Sequence, residues 1–309
     1  MIPHTQPTEH RARRRTGPPV PTQPPRISFE FFPPKTPAME ASLWTAIERL
    51  TPLDPAFVSV TYGAGGGTRS RTHRIIGRLI SKTALVPAAH LTCVGASRAE
   101  IDDVARAYWA LGACQLVALR GDPPEGVARY EPHPDGYEHA ADLVAGLRRL
   151  ADFEISVAAH PEAHPDAGSA QADLDNLKRK LDAGASRAIT QFFFDPDVFL
   201  RFRDRVAGAG IDAPLVPGIL PVTNAARALS FATACGANVP DWVKRLFDGL
   251  DAEPETRQLV AAELAAEQCR RLQAEAVEDF HFYTLNRAEL TLAICRMLGV
   301  LPRAAALAN

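Results

Sequence analysis

Polar residues are conspicuous in this sequence where they interrupt runs that are otherwise apolar. Glu30 lies in Ser28-Phe29-Glu30-Phe31-Phe32-Pro33-Pro34, among three phenylalanines and two prolines. If this run is a strand, alternation turns Phe29 and Phe31 to the face opposite Glu30. A carboxyl in so poorly solvated a place is expected to have a raised pKa and to hold a proton near neutrality, which suits a general acid. The alternative is a carboxylate paired with an arginine.

Later apolar runs also end in polar residues: Thr61, then His90 and Thr92, then Arg120-Gly121-Asp122, then His160 and His164, then Gln191. In parallel barrels catalytic groups collect at the C-terminal ends of the strands. Buried polar residues also brace barrels, which accounts for any one of these groups but poorly for the whole series. The segment Gly63-Ala64-Gly65-Gly66-Gly67-Thr68 precedes a helix. Its glycines allow close backbone approach to a ligand, and the helix start favours anions. It is not G-x-G-x-x-G, so the Rossmann fingerprint fails, and a plain flexible turn reads equally well. Asp173, Asn176 and Lys180 share one helix face, with Arg179 beside them. That face is either solvated or a cradle for a cofactor diphosphate. His160 and His164 have metal-like spacing, but Pro161 and Pro165 break any helix there, so no metal site is expected. Cys93, Cys114, Cys235, Cys269 and Cys295 occur singly, with no C-x-x-C pair. They read as small hydrophobes in a reducing compartment, the cytoplasm.

These side chains need a scaffold, and the sequence has a rhythm that supplies one. Strand-like runs at 27–32, 57–62, 86–93, 115–119, 154–159, 187–193, 215–220 and 280–285 alternate with helix-like stretches. The helices fall at 39–50, 69–82, 98–111, 137–150, 171–183, 197–207, 224–235 and 287–298. Strand and helix alternation implies parallel strands joined by right-handed crossovers. Eight repeats suit an α/β fold of the (β/α)8 TIM-barrel type. Extra helices at 242–247 and 255–276 precede the last strand. Periodicity alone leaves an open sheet standing as the alternative. No Pro- or Gly-rich linker divides the repeats, so residues 26–309 are expected to form a single catalytic domain.

Residues 1–25 hold Arg11, Arg13, Arg14, Arg15 and five closely spaced prolines, and are expected to be a disordered tail or an arginine arm. The 309-residue chain is 46% hydrophobic and 23% charged, enough to bury a full core, and its net charge is −2. That balance argues against nucleic acid and anionic membrane as partners. No apolar run approaches the roughly 18 residues of a membrane helix, and no secretory h-region follows the arginines.

Taken together, the segments 28–34 (SFEFFPP), 57–64 (FVSVTYGA), 90–93 (HLTC), 117–122 (VALRGD), 155–159 (ISVAA), 169–180 (SAQADLDNLKRK), 189–195 (ITQFFFD), 217–222 (PGILPV) and 279–289 (DFHFYTLNRAE) resemble the methylenetetrahydrofolate reductase family, particularly its short bacterial form. The likeness runs from about Ile27 to the C-terminus. It implies a barrel that binds FAD and reduces 5,10-methylenetetrahydrofolate to 5-methyltetrahydrofolate, feeding methionine synthesis. NADH or NADPH gives hydride to the flavin and leaves before the folate enters. The sequence has no clear determinant between the two reductants, and the bacterial likeness favours NADH.

The resemblance also assigns roles. Glu30 matches the acid that protonates the departing nitrogen as the folate ring opens. Asp122 matches the aspartate near flavin and pterin, Gln191 the glutamine that meets both substrates, Phe231 the aromatic residue packing on either, and Arg287 an arginine facing the folate. The FAD set carries over to Thr61, Tyr62, Ala64, His90, Arg120, Gly121, Asp122, Ala140, His164, Asp173, Asn176, Arg179 and Lys180. The family usually has tyrosine before Ala140 and at the end of the SVAA strand, where this chain has His139 and His160. Histidine titrates near neutrality, so FAD affinity is expected to fall as pH drops. Tyr137 is the candidate to replace His139 after a local shift. The stretch 123–135 departs from the family pattern. The family further implies homo-oligomers, and the short chain implies no regulatory domain for S-adenosylmethionine. Two other readings compete: a proline-dehydrogenase-like flavin barrel, and a catalytically dead folate- or flavin-binding protein. Intact Glu30, Asp122 and Gln191 argue against the last, and preference for a methylenefolate over proline separates the first two.

Overall fold

A computed structural model describes residues 23–62, 69–123, 126–127, 129–222 and 225–303. The arginine- and proline-rich segment 1–22, and the glycine-rich stretch 63–68 with Ala64, lie outside the described residues.

The strands are β1 (Arg26–Phe31), β2 (Val58–Val60), β3 (Pro87–Thr92), β4 (Gln115–Leu119), β5 (Glu154–Ala159), β6 (Arg187–Thr190), β7 (Leu215–Val216), β8 (Gly218–Ile219) and β9 (Asp279–Tyr283). The helices are α1 (Pro37–Leu50), α2 (Arg69–Lys82), α3 (Arg98–Leu111), α4 (Ala140–Leu150), α5 (Ala170–Asp182), α6 (Pro196–Gly208), α7 (Ala225–Cys235), α8 (Asp241–Phe247), α9 (Pro254–Ala274) and α10 (Glu289–Met297). All pairings are parallel, in the order β7-β6-β5-β4-β3-β2-β1-β9-β8.

β7 and β8 are two halves of one strand, interrupted at Pro217, which has no N–H to give to a ladder. The first half pairs with β6 and the second with β9. The Pro217 carbonyl still accepts the His281 N–H at 3.0 Å. Counted as one strand they close the ring, so the fold is the eight-stranded TIM barrel and not the open sheet. The two extra helices, α8 and α9, do precede the last strand.

Helix starts follow local chemistry. Ser97 and Glu100 form a reciprocal capping box on α3, and Ser169 caps α5. In β1 the residues Ile27, Phe29 and Phe31 are buried in the layer between sheet and helices. Ser28 and Glu30 therefore face into the barrel. A small apolar cluster of Phe57, Ala88, Val117, Ile189 and Val216 fills the lower interior. Beneath it Arg187 pairs with Glu154 and lies over the Phe57 ring at 5.0 Å, closing the barrel floor. The apolar filling leaves the polar inward residues to the upper, C-terminal end.

Candidate active site at the C-terminal rim

The Glu30 side chain is 20% exposed, and its Oε2 has three polar neighbours from three other strands. His90 Nε2 lies at 3.4 Å, His281 Nε2 at 3.7 Å, and the Ser59 hydroxyl donates at 3.5 Å. His281 is fully buried, stacks on Phe57 at 5.6 Å, and places Nδ1 2.8 Å from Ser28 Oγ. Strand register makes this set: Ser59 and Tyr283 sit beside Glu30, and His281 sits beside Ser28.

Burial alone would raise the Glu30 pKa. The His281 and His90 rings beside it outweigh burial and hold the carboxyl down at about 2. This reverses the raised pKa expected from the sequence. Phe29 and Phe31 face outward, and the inward neighbours are two imidazoles and a hydroxyl. The partner is not an arginine either. His281 was missed as a site residue, although the signal that singled out Glu30 applies to it: a polar side chain at an inward position of an apolar strand.

A second group lines the rim over β4, β5 and α5. Arg120 pairs with Asp166 at 2.8 Å and lies over the Tyr130 ring at 4.8 Å. Gly121 has φ +87°, and a Cβ there would come within 2.5 Å of Val94 Cγ1, so only glycine fits. Asp122 is exposed beside it. The His164 N–H donates to Asp173 Oδ2 at 3.0 Å, and its ring meets His160 edge-on at 4.7 Å. Lys180 is buried with Nζ donating to the Ala158 carbonyl at 2.6 Å, and burial brings its pKa down to about 8. Arg179 is exposed, with Nη2 3.4 Å from Asn176 Oδ1. Thr61 and Tyr62 follow β2, and the buried Tyr62 hydroxyl has no hydrogen-bond partner among the described residues.

His160 corrects another expectation. Burial, then repulsion from His164, Lys180 and Arg120, holds its pKa down to about 3, although Asp173 Oδ2 is 3.7 Å from Nδ1. It therefore does not titrate near neutrality. His139 is exposed at the start of α4, where its N–H donates to Asp142 at 2.9 Å, and Ala140 behind it is buried. Tyr137 does not replace it. The Tyr137 ring is buried against Gly146 and its hydroxyl donates to Asp102 at 2.7 Å, which fixes it between α3 and α4.

A third region is a cavity of about 540 Å³ lined by Phe32, Met39, Leu220, Phe231, Leu285 and Arg287, among others. Phe231 is 48% exposed and stacks on Phe192 at 5.3 Å. Next to Phe192, Gln191 Oε1 accepts the Phe192 N–H at 3.0 Å. Its NH2 is then the end left to meet a ligand. Its size and largely apolar lining suit a small organic molecule. Among the described residues no His/Cys/Asp/Glu group could hold a metal ion, and no helix is long and apolar enough to cross a membrane.

The family described as "Methylenetetrahydrofolate reductase" matches residues 20–299. The 5,10-methylenetetrahydrofolate reductase of Pectobacterium carotovorum subsp. carotovorum is 56% identical over 276 residues, 89% of this chain and 91% of that protein. The enzyme of the same name from Escherichia coli (strain K12) is 55% identical over 276 residues, with the same coverage of 89% and 91%. Among solved structures, an uncharacterized Clostridium thermocellum protein described as binding two copies of 5-methyl-5,6,7,8-tetrahydrofolic acid matches with a TM-score of 0.57. Its identity is 13%, over 89% of this chain and 94% of that one, so the likeness concerns the fold.

Proposed function

The chain belongs to the methylenetetrahydrofolate reductase family, and on that basis we propose that it reduces 5,10-methylenetetrahydrofolate to 5-methyltetrahydrofolate, with FAD as resident cofactor and NADH or NADPH as reductant in a ping-pong sequence. Its place would be the cytoplasm, supplying methionine synthesis, as a homo-oligomer. The observation that carries the reading is Glu30, set between His90 and His281 where the inward faces of β1, β3 and β9 meet.

The rim fits an anionic dinucleotide. Arg120, Arg179 and Lys180 offer positive charge, and Asp173 is placed to accept from a ribose. Tyr62 Oη and His160 Nδ1 are buried polar atoms without hydrogen-bond partners among the described residues. Thr61, His90, Gly121, His164 and Asn176 complete the holding set. Bound FAD would accept hydride from the reductant and return it to the folate.

The chain's own residues handle the proton and the geometry. With its carboxyl held low by two imidazoles, Glu30 does not store the proton by itself. Glu30, with His90 and His281 lining its carboxylate, is the group that passes the proton to the folate nitrogen leaving the opening ring. Asp122 places a negative charge at the rim, where it would steady the cation formed on ring opening. The Gln191 NH2 would donate to a carbonyl of either substrate. Phe231 would pack on each in turn, and Arg287 would face the folate's carboxylate tail.

The test is Glu30→Gln. NADH should still bleach the yellow protein at an unchanged rate, while folate reduction falls by a factor on the order of 10²–10⁴. Equal loss of both half-reactions would mean that Glu30 is structural. A preparation that takes up no FAD would reject the reading outright.

A further inference from the structure

The loop from His160 to Ser169 joins β5 to α5 and carries Asp166 out over the rim. Asp166 Oδ2 sits 2.8 Å from Arg120 Nη2. No other carboxylate among the described residues pairs with this guanidinium, which also lies over Tyr130 and donates through Nε to the Gly121 carbonyl at 3.2 Å. Arg120 is 25% exposed and Asp166 57%, so the pair is open to exchange with a solute anion.

The loop does not swing freely. The Asp166 N–H donates to His164 Nδ1 at 3.0 Å, and the His164 N–H is held by Asp173. Glu162 accepts the Asn238 N–H at 2.9 Å, and Arg205 reaches the Pro161 carbonyl at 3.3 Å. The Pro165 ring lies so close to Gly236 that a Cβ there would come within 2.7 Å of it. The carboxylate is therefore presented from a braced backbone, and the long Arg120 side chain is the partner able to turn away.

We propose that Asp166 is an internal counter-ion that the diphosphate of the cofactor must displace from Arg120, and that it thereby sets the affinity of the rim for that cofactor. This rests on the reading above that Arg120 holds an anionic dinucleotide. Asp166 competes for the same donors and repels the incoming charge. Its side chain is not needed for the fold, because the bonds that brace the loop come from backbone atoms and from other side chains.

The experiment is flavin fluorescence on serial dilution of the yellow protein, for wild type, Asp166→Asn and Asp175→Asn. Asp175 is an exposed carboxylate on α5 whose partner is Gln171, at 2.8 Å, so its loss controls for a general change of charge. Asp166→Asn should lower the Kd for FAD about fivefold to tenfold, on the order of one screened unit charge at short range. It should also steepen the salt dependence, because Arg120 then loses its built-in partner. Asp175→Asn should do neither. An unchanged or higher Kd for Asp166→Asn, or equal gains in both variants, would overturn the proposal. A wild-type protein that binds no FAD would instead overturn the functional reading on which it stands.

Discussion

Glu30 shows how a residue's environment is decided by direction as well as by composition. Its sequence neighbours are aromatic, yet its spatial neighbours are His90, His281 and Ser59. Removing one imidazole should leave burial less opposed. For His281→Gln the Glu30 pKa should rise, and the pH profile of folate reduction should shift on its acid side, whereas an unmoved profile would mean that His281 only packs. His160 makes a different prediction. Its pKa is about 3 in the folded chain against 6.5 for an ordinary histidine. The unfolded chain takes up a proton below 6.5 that the folded one refuses. The stability from keeping His160 neutral is thus full above pH 6.5 and is lost as pH falls toward 3. About 2 kcal/mol should be gone by about pH 5. Thermal melts of His160→Gln should show a shallower fall over that range than wild type, and FAD dissociation should show no His160-dependent change between about pH 6 and 8.

At the scale of elements, the alternation of strands and helices was legible because each element carries its own period and its own caps. The boundaries that moved were those set by packing. The sixth run extends to Phe193 by composition, but β6 ends at Thr190, and the stretch beyond it turns to place Gln191. The seventh run is apolar throughout, yet Pro217 splits it into β7 and β8. Gly218 shows why that corner is fixed: a Cβ there would come within 2.2 Å of the Thr190 carbonyl and 2.6 Å of the Tyr283 ring. Gly218→Ala should cost about 1–3 kcal/mol by overpacking, read as a lower Tm. An unchanged Tm would show that β6 and β9 can part there without strain.

At the scale of the molecule, closing the barrel joins β1 to β9 across the length of the chain. Two kinds of contact span that seam. Phe29 and Phe282 are fully buried, with ring centroids 6.3 Å apart, while Arg26 and Asp279 pair at the edge with Arg26 70% exposed. Packing should hold the seam. Phe282→Ala should cost about 3–5 kcal/mol in urea unfolding, and Asp279→Ala less than about 1 kcal/mol; the reverse order would make the ion pair the clasp. The sequence by itself determined the strand–helix alternation, the order of the elements, the family and most polar residues of the rim, because periodicity, caps and motifs are local and are read along the chain, whereas closure of the ring rests on β7 and β8 pairing with β6 and β9. Only the tertiary structure decided that the Glu30 carboxyl, flanked by phenylalanines in the sequence, is held low by His90 and His281, that His160 is kept neutral, that Tyr137 is spent between helices, and that Asp166 occupies Arg120. Each of these depends on groups brought together from distant strands and loops, where burial and charge act through space.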